Sequence, residues 1–469
     1  MIETQLTHMP HMTLEEITEA VQGTYYGDEC YLQQSVSNVV IDSRQVIEGS
    51  LFVAIPGERV DGHTFIKATM EQGALCALSE QLIEGATKPY ILVKDSVKAL
   101  QALARHYRAS MDVKVIGITG SVGKTSTKEI IASVMSQSFQ VLKTEGNFNN
   151  EIGLPLTIFN LRPEHQVAVL EMGISAFGEM EVLSRIAKPD ICVFTNIGVA
   201  HIEHLLTRDG ILKEKTDMMV HMPSDGCIVL NGDDERLATV TPFNGVHPTV
   251  YGLKHESDFW ANEIKELGLE GVSATFHTPK SSFHATIPIP GLHMVYNALA
   301  AIAVAYACGM EDVAIQQGLE TVQTIKGRNN LIKTELYAII DDCYNANPAS
   351  MKASLSVLAQ VDGRCVAILG DMAELGDDWV AMHEEVGESA AELGIDLLIC
   401  VGETATHIRS GAMNSANPHS MDILYYPSKE TFILDYKNTI QEGDTILVKA
   451  SNFMGFAEIV TVLSNEIKE

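Results

Sequence analysis

The residues best equipped for chemistry lie in Ile118-Thr-Gly-Ser-Val-Gly-Lys-Thr-Ser126. An apolar run, Val113–Thr119, ends in a turn bearing Gly120 and Gly123, and a helix is expected to begin at Lys124. Glycines let the backbone curl around a phosphate, and the first N–H groups of a helix have no internal partners and point at it. Lys124 would place a point charge on the β- and γ-phosphates, and Thr125 would offer its hydroxyl to Mg2+. The spacing is that of a variant loop, G-x-x-G-K-T, because Ile118 occupies the place of the usual first glycine and Gly117 precedes it. A nucleotide is therefore expected against Gly120, Ser121, Gly123, Lys124, Thr125 and Ser126.

Such a loop needs a carboxylate to complete the shell of its cation. Val167-Ala-Val-Leu-Glu171 is an apolar strand ending in one, the layout of a Walker-B strand. Alone, a strand-end Glu reads as a solvated loop residue; beside the phosphate loop that reading reverses. His201 and His204 form an isolated H-x-x-H, with Lys213 and Lys215 following on an expected helix. By themselves these are an exposed loop pair and two solvated lysines. A guanine-reading N-K-x-D is absent after the loop, since Thr195-Asn-Ile-Gly198 lacks the lysine. The loop alone does not choose between a motor, a GTPase, a kinase and a ligase.

The elements that must position these residues fall into three segments of α/β character. Residues 1–111 read as a small mixed α/β domain: a capping-box helix start at Thr13-Leu-Glu-Glu16, a strand at Leu51–Ile55 closed by Pro56-Gly57, and a helix over Ala99–Ala109. Residues 112–325 alternate strands (Val113–Thr119, Val167–Glu171, Ile191–Thr195, Cys227–Leu230) with helix-length stretches, one of which carries Ile130, Ile131, Val134 and Met135 on one face. That alternation implies a central P-loop domain with a parallel sheet and crossover helices. Residues 250–290 are short, alternating and punctuated by proline, a β excursion attached to the same domain, and a helix follows from Tyr296. Residues 326–469 place strands at Leu336–Asp341, Cys365–Leu369, Leu397–Val401 and Thr445–Val448, each followed by polar or glycine residues. Ligands of open α/β sheets sit at such carboxyl ends, so a Rossmann-like doubly wound domain is expected there.

The charge balance narrows the partners. Lys+Arg number 32 and Asp+Glu 61, a net charge of −29, which argues against nucleic acid or an anionic membrane as partner. Small anions held by local charges and backbone N–H groups remain open. The apolar run Ala298–Gly309 is too short to cross a bilayer, and MIETQLTHMPHM lacks the charged-then-apolar order of a signal peptide. The 8 cysteines are scattered, mostly in apolar runs and without C-x-x-C, as expected of buried thiols in a reducing cytoplasm.

Taken together, the motifs resemble the Mur ligase family of cell-wall synthetases over nearly the whole chain. The likeness rests on TGSVGKTS, Thr144-Glu-Gly-Asn-Phe-Asn-Asn-Glu-Ile-Gly153, Glu171-Met-Gly173, Thr195-Asn-Ile-Gly-Val-Ala-His201, Asn297 in MVYNALAA, Gly327-Arg328 and Asp341-Asp-Cys-Tyr-Asn-Ala-Asn-Pro348. DDCYNANP and Leu369-Gly-Asp-Met-Ala-Glu-Leu375 look like the member that adds D-alanyl-D-alanine to UDP-N-acetylmuramoyl-tripeptide. The resemblance implies a cytoplasmic, monomeric enzyme using ATP and Mg2+. It implies Thr125 and Glu171 on a first Mg2+, and His201 on a second together with a carbamylated lysine, Lys215 by spacing and Lys213 as competitor. It further implies Asn297 at the adenine, with Arg328, Asp342 and Asn345 reaching the nucleotide from the third segment. Tyr344 and Asn347 would lie near the nucleotide or the incoming dipeptide. Ser43-Arg44 resembles the turn that handles uridine diphosphate, and Thr144, Asn147 and Asn150 the substrate-facing loop. One departure stands out: members often carry Lys-Gly-Ser-Arg where this chain has Lys449-Ala-Ser-Asn452, so no role is carried over to position 452.

Forming an amide from a free carboxylate needs a leaving group better than hydroxide. Attack of the carboxylate on the γ-phosphate gives an acyl phosphate, which an amine then opens. Two anions meet in the first step, and Lys124, Arg328 and two Mg2+ suit that need, with His201 and Lys215 serving the metal. Because the residues come from all three segments, the site is expected at their junction, with the third segment closing on ATP. The competing expectations are another carboxylate–amine ligase, such as a folylpolyglutamate synthase or a neighbouring cell-wall ligase, and a slow P-loop switch. The absence of D-N-P-R disfavours the diaminopimelate- or lysine-adding relative, and a switch has no use for DDCYNANP.

Overall fold

The computed structural model describes residues 12–57, 59–254, 257–415 and 421–466; the start of the segment read for a signal peptide, residues 1–11, lies outside them. The described chain forms three sheets of 5, 9 and 6 strands.

The first sheet runs in the order Thr24–Tyr26, Tyr90–Leu92, Cys76–Ser79, Leu51–Val53, Val39–Val40, parallel except for its first pair. Thr13 caps the helix Leu14–Ala20 as the sequence suggests. Its hydroxyl accepts the Glu16 N–H at 3.2 Å, and the Glu16 carboxylate accepts the Thr13 N–H at 2.8 Å. The helix Ser96–Ala109 starts earlier than expected because Asp95 caps it, accepting from Lys98 N–H. Its buried face is Ala99, Leu100, Leu103, Ala104 and Tyr107, and the Tyr107 hydroxyl donates to Leu161 C=O at 2.7 Å. Arg108 reaches the carbonyls of Ala187, Met111 and Val113. One apolar core accordingly runs from Leu14 and Val53 through Val115 and Leu170 to Leu230, joining the first sheet to the second.

In the second sheet Lys114–Thr119 lies between Ile191–Phe194 and Val167–Glu171, parallel to both. The parallel part extends from Val141–Lys143 at one edge to Cys227–Asn231, Pro248–Gly252 and Phe259–Glu266. The expected β excursion continues the same sheet as an antiparallel wing, Phe259–Glu266, Val272–His277 and Ser282–Ile287. The following helix spans His293–Ala307, beginning before Tyr296. Eleven of its residues are buried, which its run of alanines and aliphatics permits, and it shares a core with Ile130, Ile131 and Val134 of the helix Lys124–Met135. Among the described residues no helix is long and apolar enough to cross a membrane.

The third sheet orders Asn330–Lys333, Ala338–Asp341, Thr445–Lys449, Cys365–Gly370, Leu397–Val401 and Asp422–Tyr426, parallel after the first pair. The strand expected from Leu336 begins at Ala338, because Thr334 and Tyr337 close a turn just before it. The last strand in sequence, Thr445–Lys449, inserts between Ala338–Asp341 and Cys365–Gly370. Their carboxyl ends therefore gather Asp341, Gly370 and Lys449 along one edge, the position at which such sheets hold ligands.

Candidate active site

The phosphate loop is held by its neighbours rather than by itself. Asn196 Oδ1 accepts the Val122 N–H at 2.9 Å, while Val122 C=O accepts from both Thr195 Oγ1 (2.6 Å) and Asn196 Nδ2 (3.0 Å). Ser121 Oγ accepts the Gly198 N–H at 2.9 Å. Thr195-Asn-Ile-Gly198, which offered no guanine reader, thus clamps the loop. Gly120 is required by this clamp: a Cβ there would stand 1.9 Å from Thr195 Oγ1. Gly123 has φ +84° and starts the helix Lys124–Met135 with no side-chain cap, leaving the first N–H groups available. Lys124 Nζ donates to Gly120 C=O at 2.7 Å. Burial holds its pKa below the ordinary lysine value; the Glu171 carboxylate opposes this and the Arg328 charge reinforces it. Thr125 is buried and Ser126 half-buried, and both line the same cavity.

Glu171 is buried at its strand end, and its Oε2 has no hydrogen-bond partner among the described residues. Its Oε1 accepts from Asn149 Nδ2 at 2.7 Å, and its N–H is held by Thr144 Oγ1 at 3.0 Å. Thr144 was expected to face substrate; instead it is fully buried. Its hydroxyl is spent on Glu171 and its carbonyl on Lys128 Nζ at 2.6 Å, because a buried backbone end must be satisfied internally. Asn147 and Asn150 are exposed, but Asn150 Oδ1 is engaged by the Gly153 N–H at 2.8 Å, at the start of the short helix Gly153–Ile158. The loop residue that reaches Glu171 is Asn149.

His201, in left-handed backbone at φ +62°, places Nδ1 2.6 Å from Glu374 Oε2 of the third sheet's unit. Lys215 lies on the helix Arg208–Thr216 but is not solvated. It is fully buried, its Nζ lacks a hydrogen-bond partner among the described residues, and burial and the Lys124 charge hold its pKa well below the ordinary value. Lys213, the competitor, is exposed. Neighbouring Glu214 is no salt-bridge partner in waiting, since its two oxygens accept the N–H groups of Gly178 and Met180.

From the third sheet's unit, Arg328 stacks its guanidinium 4.0 Å from the ring centroid of Tyr344. Its turn is gripped on both sides: Asp341 Oδ2 accepts Gly327 N–H at 2.8 Å and Asp342 Oδ1 accepts Asn329 N–H at 3.1 Å. Asp342 lines the cavity, yet its Oδ2 already accepts from Lys449 Nζ (2.5 Å) and Ser354 Oγ (2.6 Å). It therefore positions the turn, and its carboxylate is not free to meet a nucleotide as expected. Asn347 likewise spends its side chain as the N-cap of the helix Pro348–Leu358, accepting Ser350 N–H at 2.9 Å, although it borders the cavity. Asn345 is exposed to the cavity, and its backbone carbonyl takes a bond from Lys449. Asn297 is buried, accepts from Thr127 Oγ1 at 3.0 Å and sits beside Gly123.

One cavity of about 650 Å³ gathers Lys124, Thr125, Glu171 and His201 with Asn297, Arg328, Asp342 and Asn345. A second, of about 900 Å³, opens between the first and second sheets, lined by Asp42 and Gln45 on one side and Glu129, Lys143 and Phe148 on the other. Ser43 and Arg44 are not among its lining. Arg44 is exposed, and its guanidinium pairs with Asp42 at 2.7 Å, holding that carboxyl down to about 2. Neither cavity brings Arg44 to the phosphate loop.

Residues 35–108 match the Mur ligase family catalytic domain, 118–305 the Mur ligase middle domain and 327–452 the Mur ligase glutamate ligase domain. A UDP-N-acetylmuramoyl-tripeptide–D-alanyl-D-alanine ligase of Bacillus subtilis (strain 168) is 36% identical over 453 residues, covering 96% of this chain and 97% of its own length. The chain belongs to the Mur ligase family. Its fold superposes on a crystal structure of MurF from Acinetobacter baumannii with a TM-score of 0.89 at 32% identity, covering 98% of this chain and all of that one. It superposes on MurF ligase from Thermotoga maritima in complex with ADP with a TM-score of 0.80 at 30% identity, over 92% of this chain and 97% of that one. In this Mur ligase the residues that sequence reasoning passed over are the ones that hold others: Asn149, Asn196, Lys128, Asp341, Lys449 and Glu374. Most stand inside or beside the quoted motifs, where residue type was legible but the partner was not.

Proposed function

We propose that this Mur ligase joins D-alanyl-D-alanine to UDP-N-acetylmuramoyl-tripeptide at the expense of ATP, in the synthesis of peptidoglycan precursors. The observation that carries the reading is the shared cavity, in which a phosphate loop, a buried carboxylate and a cation from the third sheet's unit converge. The names of the relatives at 36% and 34% identity supply the substrates. The reading keeps a monomer and a division at 111/112 and 325/326, the latter supported by three sheets whose strands lie within 24–92, 114–287 and 330–449. The eight free cysteines fit the cytoplasm.

ATP would lie with its phosphates on the N–H groups at Gly123 and Lys124, its adenine toward Asn297. The tripeptide's terminal carboxylate attacks the γ-phosphorus and ADP leaves, giving an acyl phosphate. The neutral amine of D-alanyl-D-alanine then attacks the acyl carbon, phosphate departs with the bond electrons, and the amine proton is lost. Lys124 and Arg328 offset the charge that accumulates when two anions meet. The uridine diphosphate end is assigned to the first sheet's unit near Ser43 and Arg44, with Asn147, Asn150 and Tyr344 bordering the path to the reacting carboxylate.

Among the described residues no three His, Cys, Asp or Glu side chains converge as a ready metal cage. That suits magnesium, which keeps waters and phosphate oxygens and takes one or two protein ligands. The unpartnered Glu171 Oε2 beside the Thr125 loop fits a first ion; a second would fall to His201, which lines the cavity, and to Lys215, whose buried Nζ has no partner among the described residues though it lies behind the cavity's lining. Bound there, the ions would neutralise phosphate charge. Burial holds the Lys215 amine well below the ordinary lysine pKa, which favours the free amine that would add to carbon dioxide, forming an N–C bond and losing a proton to give a carbamate anion.

The test is phosphate release from ATP with each substrate omitted in turn, followed by a panel of amines. Release is expected only with both the tripeptide and D-alanyl-D-alanine present. Turnover on ATP alone would point to a P-loop switch, and preference for single amino acids to another ligase of the superfamily.

A further inference from the structure

His201 and Glu374 meet across the junction between the second and third sheets' units. Both hold left-handed backbone, φ +62° and +61°, a conformation that costs non-glycine residues energy and persists where the surroundings impose it. The loop bearing Glu374 is imposed on by its own unit. Asp371 Oδ1 accepts Ala405 N–H at 2.7 Å, Met372 N–H bonds His383 Nε2 at 3.1 Å, Ala373 N–H bonds Ser451 Oγ at 3.0 Å, and Leu375 is buried. With its neighbours tied inward, Glu374 is the residue turned out, and Gly376 beside it packs close to Ile202 and Glu203. Its Oε2 stands 2.6 Å from His201 Nδ1, in ion-pair contact but off the line of a ring N–H bond, and Nδ1 has no hydrogen-bond partner among the described residues.

A histidine ring offers one acceptor nitrogen when neutral, and the group on the other nitrogen decides which. Metal-ligating histidines characteristically give their second N–H to a carboxylate, which fixes the ring's tautomer and aim. We propose that Glu374 is a positioning residue that accepts a hydrogen bond from His201 Nδ1–H, keeping the proton on that nitrogen, and so leaves Nε2 as the cation-facing atom. The inference rests on the reading above that His201 serves a cation. It adds that the orienting carboxylate is delivered from the third unit. Docking of that unit and preparation of His201 are then one event, and a separated third unit leaves the ring unaimed.

The experiment uses the full chain labelled with 15N-histidine, with the His201 ring signals assigned by their loss in His201→Asn. The wild type should show the proton on Nδ1, and Glu374→Ala should shift the ring toward the Nε2–H form of a free imidazole. Glu374→Gln, whose amide oxygen can still accept, should retain the Nδ1–H form. Titrating Mn2+ with ADP present, followed by electron paramagnetic resonance, should show Glu374→Ala weakening one site about 10–100-fold, the usual cost of losing such a partner. ADP affinity without metal should stay within about twofold. Unchanged ring signals in Glu374→Ala would overturn the proposal, as would weakened Mn2+ binding without a ring change. The ring measurement needs no turnover, so a failed ligase assay beside a shifted ring would count against the proposed activity and leave this contact standing.

Discussion

At the scale of residues, charge is placed where anions must gather, and Glu171 Oε2 and Lys215 Nζ are left without hydrogen-bond partners among the described residues. Lys124 is partly desolvated and faces Glu171 and Arg328. Lys124→Ala should lower kcat by about 10²–10³-fold, the scale of removing one preorganised charge contact, with ADP binding as the companion measurement. Lys215 and Lys213 give a sharper contrast, because two residues apart on one helix they are fully buried and exposed. Lys215→Arg should abolish turnover while Lys213→Ala retains it within about twofold, as expected of a solvated side chain; rates measured with and without bicarbonate check the carbamate. Thr144→Val keeps the shape but leaves the Glu171 N–H unpaired in the interior, so a loss of about 1–3 kcal/mol in unfolding free energy is expected from denaturant titration.

At the scale of elements, function depends on turns that neighbouring strands hold. The loop after Lys114–Thr119 is shaped by Thr195 and Asn196 from the adjacent strand end, so Gly120→Ala must displace Thr195 or distort the loop. Nucleotide affinity should fall at least about tenfold, by the sensitivity of such sites to small misplacement, measured by calorimetry with ADP. In the third unit, His383 is fully buried and accepts Met372 N–H at Nε2 while Nδ1 meets Trp379 C=O at 2.7 Å. That pairing requires the neutral ring, and burial holds its pKa below 6.5. The unfolded chain takes up a proton below about pH 6.5 that the folded form refuses. Stability is therefore present above that pH and lost as pH falls below it. Denaturant midpoints near pH 7.5 and 5.5 should differ less in His383→Asn than in the wild type. His165, His221 and His293 are shifted the same way by burial, so the difference should shrink rather than vanish.

At the scale of the molecule, a chain of net charge −29 takes anionic substrates. The repulsion is overcome locally, by an uncapped helix end, Lys124 and Arg328, while most carboxylates stay on the surface. The cavity draws on two units, so nucleotide occupancy should favour their approach. Small-angle scattering is expected to show a smaller radius of gyration with a saturating ATP analogue, and an unchanged radius would count against closure.

What the sequence determined by itself was whatever depends on local order. The phosphate loop, the strand ending in Glu171, the capping box at Thr13, the β character of residues 250–290 and the family likeness are all carried by residues adjacent in the chain, where spacing alone fixes backbone geometry. The tertiary structure decided which groups are already engaged. Thr144, Asp342 and Asn347 read as ligand-facing, yet each is spent on a backbone N–H or a neighbouring charge. Lys215 reads as a solvated helix lysine and is enclosed, and Lys449 and Glu374 acquire meaning only from Asp342 and His201, far away in sequence. Burial and hydrogen-bond partnership are properties of pairs brought together by packing, and no one-dimensional spacing encodes whether a polar atom arrives in the site already satisfied.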